Sequence, residues 1–223
     1  MFDAIAHRYD LLNHILSGGI DVYWRWQTVR RLAERRPRRI LDVATGTADL
    51  AIAALRAHPD EIVAVDISEN MLAIGRQKIA RKNAEQTISL QSGAAEHLPF
   101  QDASFDAAMV AFGVRNFEDL SHGLLEMHRI LTVGGSVFIL EFSKPNSFPL
   151  KQIYFFYFTH ILPRIGGQIS QDRAAYEYLP ETVLKFPDGA NFIRLLEAAG
   201  FSRTTQTPMT FGIVTLYTGI KGE

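Results

Sequence analysis

From Arg39 onward the chain alternates short β-rich runs with longer helical patterns, and few architectures accept that rhythm. The runs "RILDVAT", "EIVAVDI", "TISLQSG", "FDAAMVAFG" and "GSVFILEFS" carry the apolar and β-branched residues of buried strands. Between them stand segments such as "DLAIAALRAH" and "ENMLAIGRQKIARKN", with apolar residues at helical spacing. Strands alternating with helices build βαβ units, so the expected class is α/β on a largely parallel sheet. "LSHGLLEMHRIL", Leu120 to Leu131, predicts a helix that "TVGG" ends before the next strand. "FGIVTLYTGIK" alternates and predicts a late strand that closes the sheet. Two stretches fall outside the alternation, residues 1–38 and the aromatic- and proline-rich 146–188. On a single domain spanning residues 1–223, they are expected as an N-terminal helical lid and a substrate cover.

Composition removes several function classes. A net charge of -1 lacks the basic balance that binding to a phosphate backbone favours, so no nucleic-acid partner is expected. The absence of cysteine excludes thiol catalysis and suits a cytoplasmic protein. The seven histidines show no H-E-x-x-H or comparable spacing, so no metal is expected. No G-x-S-x-G elbow is present either. The start "MFDAIAHRYD" does not read as a signal peptide, and "IYFFYFTHIL" is about half the ~20 residues a spanning helix needs.

Asp42 and Gly46, in "LDVATGTADL", stand where the first strand ends, the place where parallel sheets bind ligands. A dinucleotide loop usually reads G-x-G-x-x-G so that backbone amides approach a pyrophosphate; here only Gly46 of that set is present. S-adenosylmethionine has no pyrophosphate, and one small turn suffices for it. Asp66 ends the next strand, 20 residues after Gly46, where a carboxylate can accept both ribose hydroxyls of either cofactor. The sparse glycines favour the methyl donor. A third turn, "SGAAEHLPF", offers Gly93, Ala94 and Ala95 as a surface for an adenine face, with Glu96 beside them.

"LDVATGTADLA", "LPFQDASFDAAMVAFGVRNFED", "GGSVFILEFSKP", "YEYLPETVLKFPD" and the opening "FDAIAHRYDLLNHILSGGIDVYWR" resemble the demethylmenaquinone/ubiquinone C-methyltransferase family, over nearly the whole chain. The resemblance implies a class I S-adenosylmethionine-dependent methyltransferase with a Rossmann-like, mostly parallel sheet, helices on both faces and an antiparallel C-terminal strand. It implies methylation of a ring carbon of a prenylated demethylmenaquinol. On this chain its donor positions fall on Thr47, Asp66, Ala94 and Ala95, beside Asp42 and Gly46. A ubiquinone precursor or another small phenol or lipid is the alternative acceptor. The form "VATGT" is more similar to menaquinone-only members than to dual-function ones. The chain departs from the pattern at Ala48, where the family usually has Gly, at Tyr217, where it has His, and in beginning at the "FD" motif.

Such chemistry needs donor and ring held in near-attack geometry, a stabilised phenolate and an acceptor for the ring proton. Arg115, at the end of the fourth strand, is the candidate for phenolate stabilisation because its charge is permanent and its fork can hold oxygens or a water. Asn116 beside it is placed to orient the quinol oxygen. Tyr9 and His7 are candidates for a hydrogen bond or a base. Pairing of Arg115 with Glu118 or Asp119 is the competing structural explanation. "FPLKQIYFFYFTHILPRIGG", Phe148 to Gly167, is either a buried helix or an apolar site for a prenyl tail. Arg25, Arg30, Arg31, Arg35, Arg36, Arg38 and Arg39, against Glu34 alone, form either a solvated face or a contact for anionic headgroups. Transient contact with the inner face of the membrane and a homodimer are the partner expectations.

Overall fold

In the computed structural model, residues 19–145, 147–149, 151–152, 156 and 181–222 are described. The predicted strands form as β1 (Arg39–Val43), β2 (Glu61–Asp66), β3 (Ile88–Ser92), β4 (Phe105–Ala111), β5 (Leu131–Phe142) and, near the end, β7 (Val214–Lys221). Sequence reading passed over β6 (Phe201–Met209), which has few apolar residues and contains Pro208. Both traits suit its place as an edge strand, where one side needs no ladder partner. The sheet order is β3-β2-β1-β4-β5-β7-β6. Strands β1 to β5 pair in parallel, whereas β7 runs antiparallel between β5 and β6.

Five helices with described bounds accompany it: α1 (Ile20–Ala33), α2 (Asp49–Ala54), α3 (Glu69–Arg81), α4 (Leu120–Ile130) and α5 (Ala190–Ala198). Alternate strand residues face opposite sides of a sheet. Ile40, Ile62, Met109 and Leu140 meet Trp24, Val29 and Leu32 of α1, Leu50 and Ala54 of α2 and Ile79 of α3. Leu41, Val63, Val110 and Ile139 instead meet Leu124 and Met127 of α4 and Phe192 and Leu196 of α5. Helices therefore cover both faces, as expected of a parallel sheet. Ser68 caps α3 by accepting from the Met71 N–H at 3.2 Å, and Asp119 caps α4 by accepting from the His122 N–H at 3.0 Å.

The "TVGG" stretch does more than end a helix. Helix α4 stops at Ile130 and Leu131 already pairs with Phe105, so Thr132 to Gly135 form an irregularity inside β5. Gly134, at φ 80, adopts the left-handed backbone there, and regular pairing resumes at Ser136 with Ala107. No helix among the described residues is long and apolar enough to cross a membrane.

Candidate active site

The strand order reverses between β1 and β4, and in such sheets the crevice beyond the strand ends at that point receives ligands. A cavity opens there, lined by Ala44 and Gly46 after β1, Asp66 and Ile67 after β2, Gly93 to Glu96 after β3, and Ala111 to Gly113 with Asn116 to Glu118 after β4. Four of the predicted donor residues, Gly46, Asp66, Ala94 and Ala95, thus share one cavity with Asn116. Asp42 and Thr47 line a smaller cavity beside it, which shares Ala44, Gly46, Ala111 and Phe112 with the first and adds Asp21 and Arg25 of α1. Residues 1–18 lie outside the described set, and Tyr9 and His7 with them.

The β1–α2 loop owes its shape to β2. The Thr45 N–H donates to the Val65 carbonyl at 2.9 Å and the Gly46 N–H to Asp66 Oδ2 at 2.8 Å. Asp66 Oδ1 accepts from the Ser68 N–H at 2.9 Å. A carboxylate accepts about four hydrogen bonds, which suits ligand hydroxyls at this place. Three residues of the loop are left-handed: Ala44 (φ 51), Gly46 (φ 57) and Ala48 (φ 66). Only Gly46 adopts that region without a Cβ penalty. Ala48 therefore carries strain at the start of α2, with a fully buried Cβ. Thr47 turns its hydroxyl to Lys78 Nζ at 2.8 Å, and Lys78 also bonds Asp49 at 2.6 Å, which fastens the loop to α3.

Asp42 is fully buried, and burial pushes its carboxyl up to about 7, against the opposing hydrogen bond from Thr45. The Thr45 hydroxyl donates to Oδ2 at 2.6 Å, while Oδ1 has no hydrogen-bond partner. An enclosed acceptor without a donor is costly unless a ligand answers it.

Arg115 departs from the expectation that its side chain faces the ligand. Its side chain is 6% exposed and pairs with the fully buried Glu141 at 2.7 Å, not with Glu118 or Asp119. Its Nη1 also donates to the Phe112 carbonyl at 2.6 Å, and its guanidinium lies 5.3 Å from the centre of the Phe142 ring. Its Nε–H has no hydrogen-bond partner. Parallel pairing of β4 with β5 sets Ala111 beside Leu140, so "AFGVRN" and "LEFSKP" start side by side. Sequence reasoning missed Glu141. Its signal was an acid closing an otherwise apolar strand.

The rest of "LEFSKP" is a clasp: Lys144 Nζ donates to the Phe186 carbonyl at 2.8 Å and pairs with Asp188 at 2.9 Å. The Lys144 N–H donates to the other oxygen of Asp188 at 2.6 Å, which joins the two ends of the 146–188 stretch. Tyr217 is fully buried, and its oxygen accepts from the Gly189 N–H at 2.7 Å, ahead of α5. The run of arginines is split: Arg25 pairs with Asp21, Arg38 with Asp60 and Arg39 with Glu61, and Arg35 bonds Ser136. The aromatic segment lies almost wholly outside the described residues.

The model of the ubiE/COQ5 methyltransferase family matches residues 1–221. A demethylmenaquinone methyltransferase of Bacteroides fragilis is 45% identical over 222 residues, covering 99% of this chain and 91% of the relative. A ubiquinone/menaquinone biosynthesis C-methyltransferase UbiE of Geobacter sulfurreducens is 47% identical over 224 residues, covering 100% of this chain and 87% of the relative. Among solved structures, a SAM-dependent methyltransferase of Thermotoga maritima superimposes with a TM-score of 0.67 at 19% identity, covering 99% of this chain and 97% of that one. At that identity the superposition speaks for the fold.

Proposed function

Because the chain belongs to the ubiE/COQ5 methyltransferase family, we propose that it methylates a ring carbon of demethylmenaquinol with S-adenosylmethionine, giving menaquinol in menaquinone biosynthesis. The observation that supports this reading best is the composition of the switch-point cavity. An acid after β2, a small-residue turn after β3 and the amide of Asn116 face one space. The residues fit a sulfonium nucleoside. Asp66 suits the ribose hydroxyls, Ala94 and Ala95 leave room for an adenine face, and the unanswered Oδ1 of Asp42 suits an ammonium. When bound, S-adenosylmethionine supplies an electrophilic methyl to the ring carbon.

The chain's own residues then have separable tasks. Gly46 and Thr47 shape the donor loop. Asn116 orients the quinol oxygen from the cavity wall. The Arg115–Glu141 pair is neutral overall, so net charge contributes little to phenolate stabilisation. Arg115, held by Glu141 and the Phe112 carbonyl behind the cavity wall, acts by positioning the turn that carries Asn116. Tyr9 serves as a further donor or base. Residues 1–38 act as a lid, and 146–188, clasped at Lys144 and Asp188, cover the acceptor. The enzyme works in the cytoplasm against the inner face of the membrane, where a prenylated quinol resides, and forms a homodimer.

The test is transfer of labelled methyl from S-adenosylmethionine to reduced demethylmenaquinone, with a ubiquinone precursor and a short-tailed phenol in parallel. Product formed from the prenylated demethylmenaquinol supports the reading. Donor binding without transfer to any of the three overturns it.

A further inference from the structure

Helix α1 does not bury all of its apolar residues. Trp24, Val29 and Leu32 are in the core, but Val22 (54%), Tyr23 (49%), Trp26 (41%) and Ile20 (41%) are exposed. Residues four apart stack along one side of a helix, so Val22, Trp26 and Arg30 form one ridge. Tyr23 lies beside it, with its ring 6.1 Å from that of Trp26. The Arg30 guanidinium lies 6.0 Å from the centre of the Trp26 ring. A groove runs from this ridge to α2, lined by Val22, Trp26, Ile52 and Leu55 and by the cations Arg56 and Lys82.

The charges in the groove are unbalanced. Its two acids are both answered, Asp21 by Arg25 and Asp49 by Lys78 at 2.6 Å. Arg56 and Lys82 in the groove, and Arg30 over the Trp26 ring at its edge, are exposed, and no described carboxylate pairs with them. Isolated exposed apolar residues are ordinary, but two aromatics and two aliphatics ringed by unpaired cations are not. Trp and Tyr favour the boundary between hydrocarbon and water, and cations next to them favour anionic headgroups. The groove also shares Asp21, Arg25 and Asp49 with the small cavity that holds Asp42, which in turn adjoins the switch-point cavity. Three concavities therefore follow one another from the α1 ridge to the site.

We propose that the α1–α2 face, with Tyr23 and Trp26 at its centre and Arg30, Arg56 and Lys82 around them, docks on an anionic lipid bilayer. The docked face brings the head of a membrane-dissolved acceptor to the protein side that adjoins the site. The lipid-borne acceptor belongs to the proposed function; the docking surface itself stands on the patch.

The experiment is co-sedimentation of the full chain with vesicles of phosphatidylcholine, with and without phosphatidylglycerol, over a salt series. Binding that needs phosphatidylglycerol and weakens with salt is expected. The triple variant Arg30→Glu, Arg56→Glu, Lys82→Glu should lose at least about 10-fold in vesicle affinity. Tyr23→Ser with Trp26→Ser should lose a comparable factor without changing the salt dependence. Circular dichroism and thermal unfolding report whether the variants remain folded. Vesicle affinity unchanged in both variants overturns the proposal, as does equal binding to neutral vesicles. Dissociation of a dimer by the aromatic variant, with no vesicle binding by the native chain, assigns the face to a second copy and also overturns it. Vesicle binding requires no methyl transfer, so a chain that docks but methylates nothing refutes the proposed function and leaves the surface standing.

Discussion

Replacing Asp42 by asparagine should remove a large part of the pH dependence of stability across the neutral range. The Asp42 carboxyl is pushed up from 3.8 to about 7, first by burial, with the Thr45 hydroxyl and the Ala51 backbone N–H opposing and the charges of Asp66 and Asp49 adding to it. In the unfolded chain it titrates as an ordinary aspartate. Between the two values the folded chain keeps a proton that the unfolded chain has released. Stability therefore falls as pH rises from about 4, and the loss levels off above about 7. The full loss is roughly 4 kcal/mol, of which about 2 kcal/mol falls between about pH 5.5 and about pH 8. In Asp42→Asn the amide oxygen keeps the Thr45 hydrogen bond, and the amide NH₂ occupies the site where Oδ1 has no partner. Whatever that unanswered donor costs is the same at both pH values and cancels from the comparison. Urea unfolding of both proteins at the two pH values measures the remainder: the gap should move in the variant's favour by about 2 kcal/mol on going to the higher pH. Parallel pH profiles would refute the reasoning. If the donor's ammonium answers the ionised carboxylate, donor affinity of the native chain also rises through the same window.

Four further outcomes follow from the geometry. Asp66→Ala should weaken S-adenosylmethionine binding by about 1.5 to 3 kcal/mol in a calorimetric titration; an unchanged dissociation constant removes Asp66 from the ribose site. Arg115→Lys keeps a cation opposite Glu141 but not the fork, so kcat should fall far more than donor affinity, and equal turnover leaves Arg115 a structural residue. Ala48→Gly relieves the left-handed Ala48 (φ 66) and should raise stability by about 1 kcal/mol in thermal unfolding, whereas a lower Tm would mean that its buried Cβ matters more than the strain. Tyr217→Phe removes the acceptor for the Gly189 N–H and should cost about 1 kcal/mol of stability without changing the donor dissociation constant.

Arg115 and Asn116, neighbours in the chain, take different places in the fold. Asn116, at the end of the short helical turn Val114–Asn116 that follows β4, lines the cavity. Arg115, one residue earlier, turns the other way, into the protein. Nothing local to "GVRN" announces that turn. It is set by Glu141, 26 residues later, whose strand lies alongside.

What the sequence determined by itself is what periodicity and turn chemistry encode. The alternation after Arg39 produced the parallel sheet, and the acids and small residues at strand ends marked Gly46, Asp66, Ala94 and Ala95 as neighbours of one crevice. Those signals are local, since a strand's alternation or a turn's glycine is dictated by backbone sterics within a few residues. Other features appeared only when distant segments met: the strand β6, which has almost no apolar face of its own, the burial of Asp42 under α1 and α2, and the meeting of Arg56 and Lys82 with exposed Trp26 around one groove. Desolvation, ion pairing and surface patches depend on which groups a fold brings within a few ångströms, and a linear pattern contains no term for that distance.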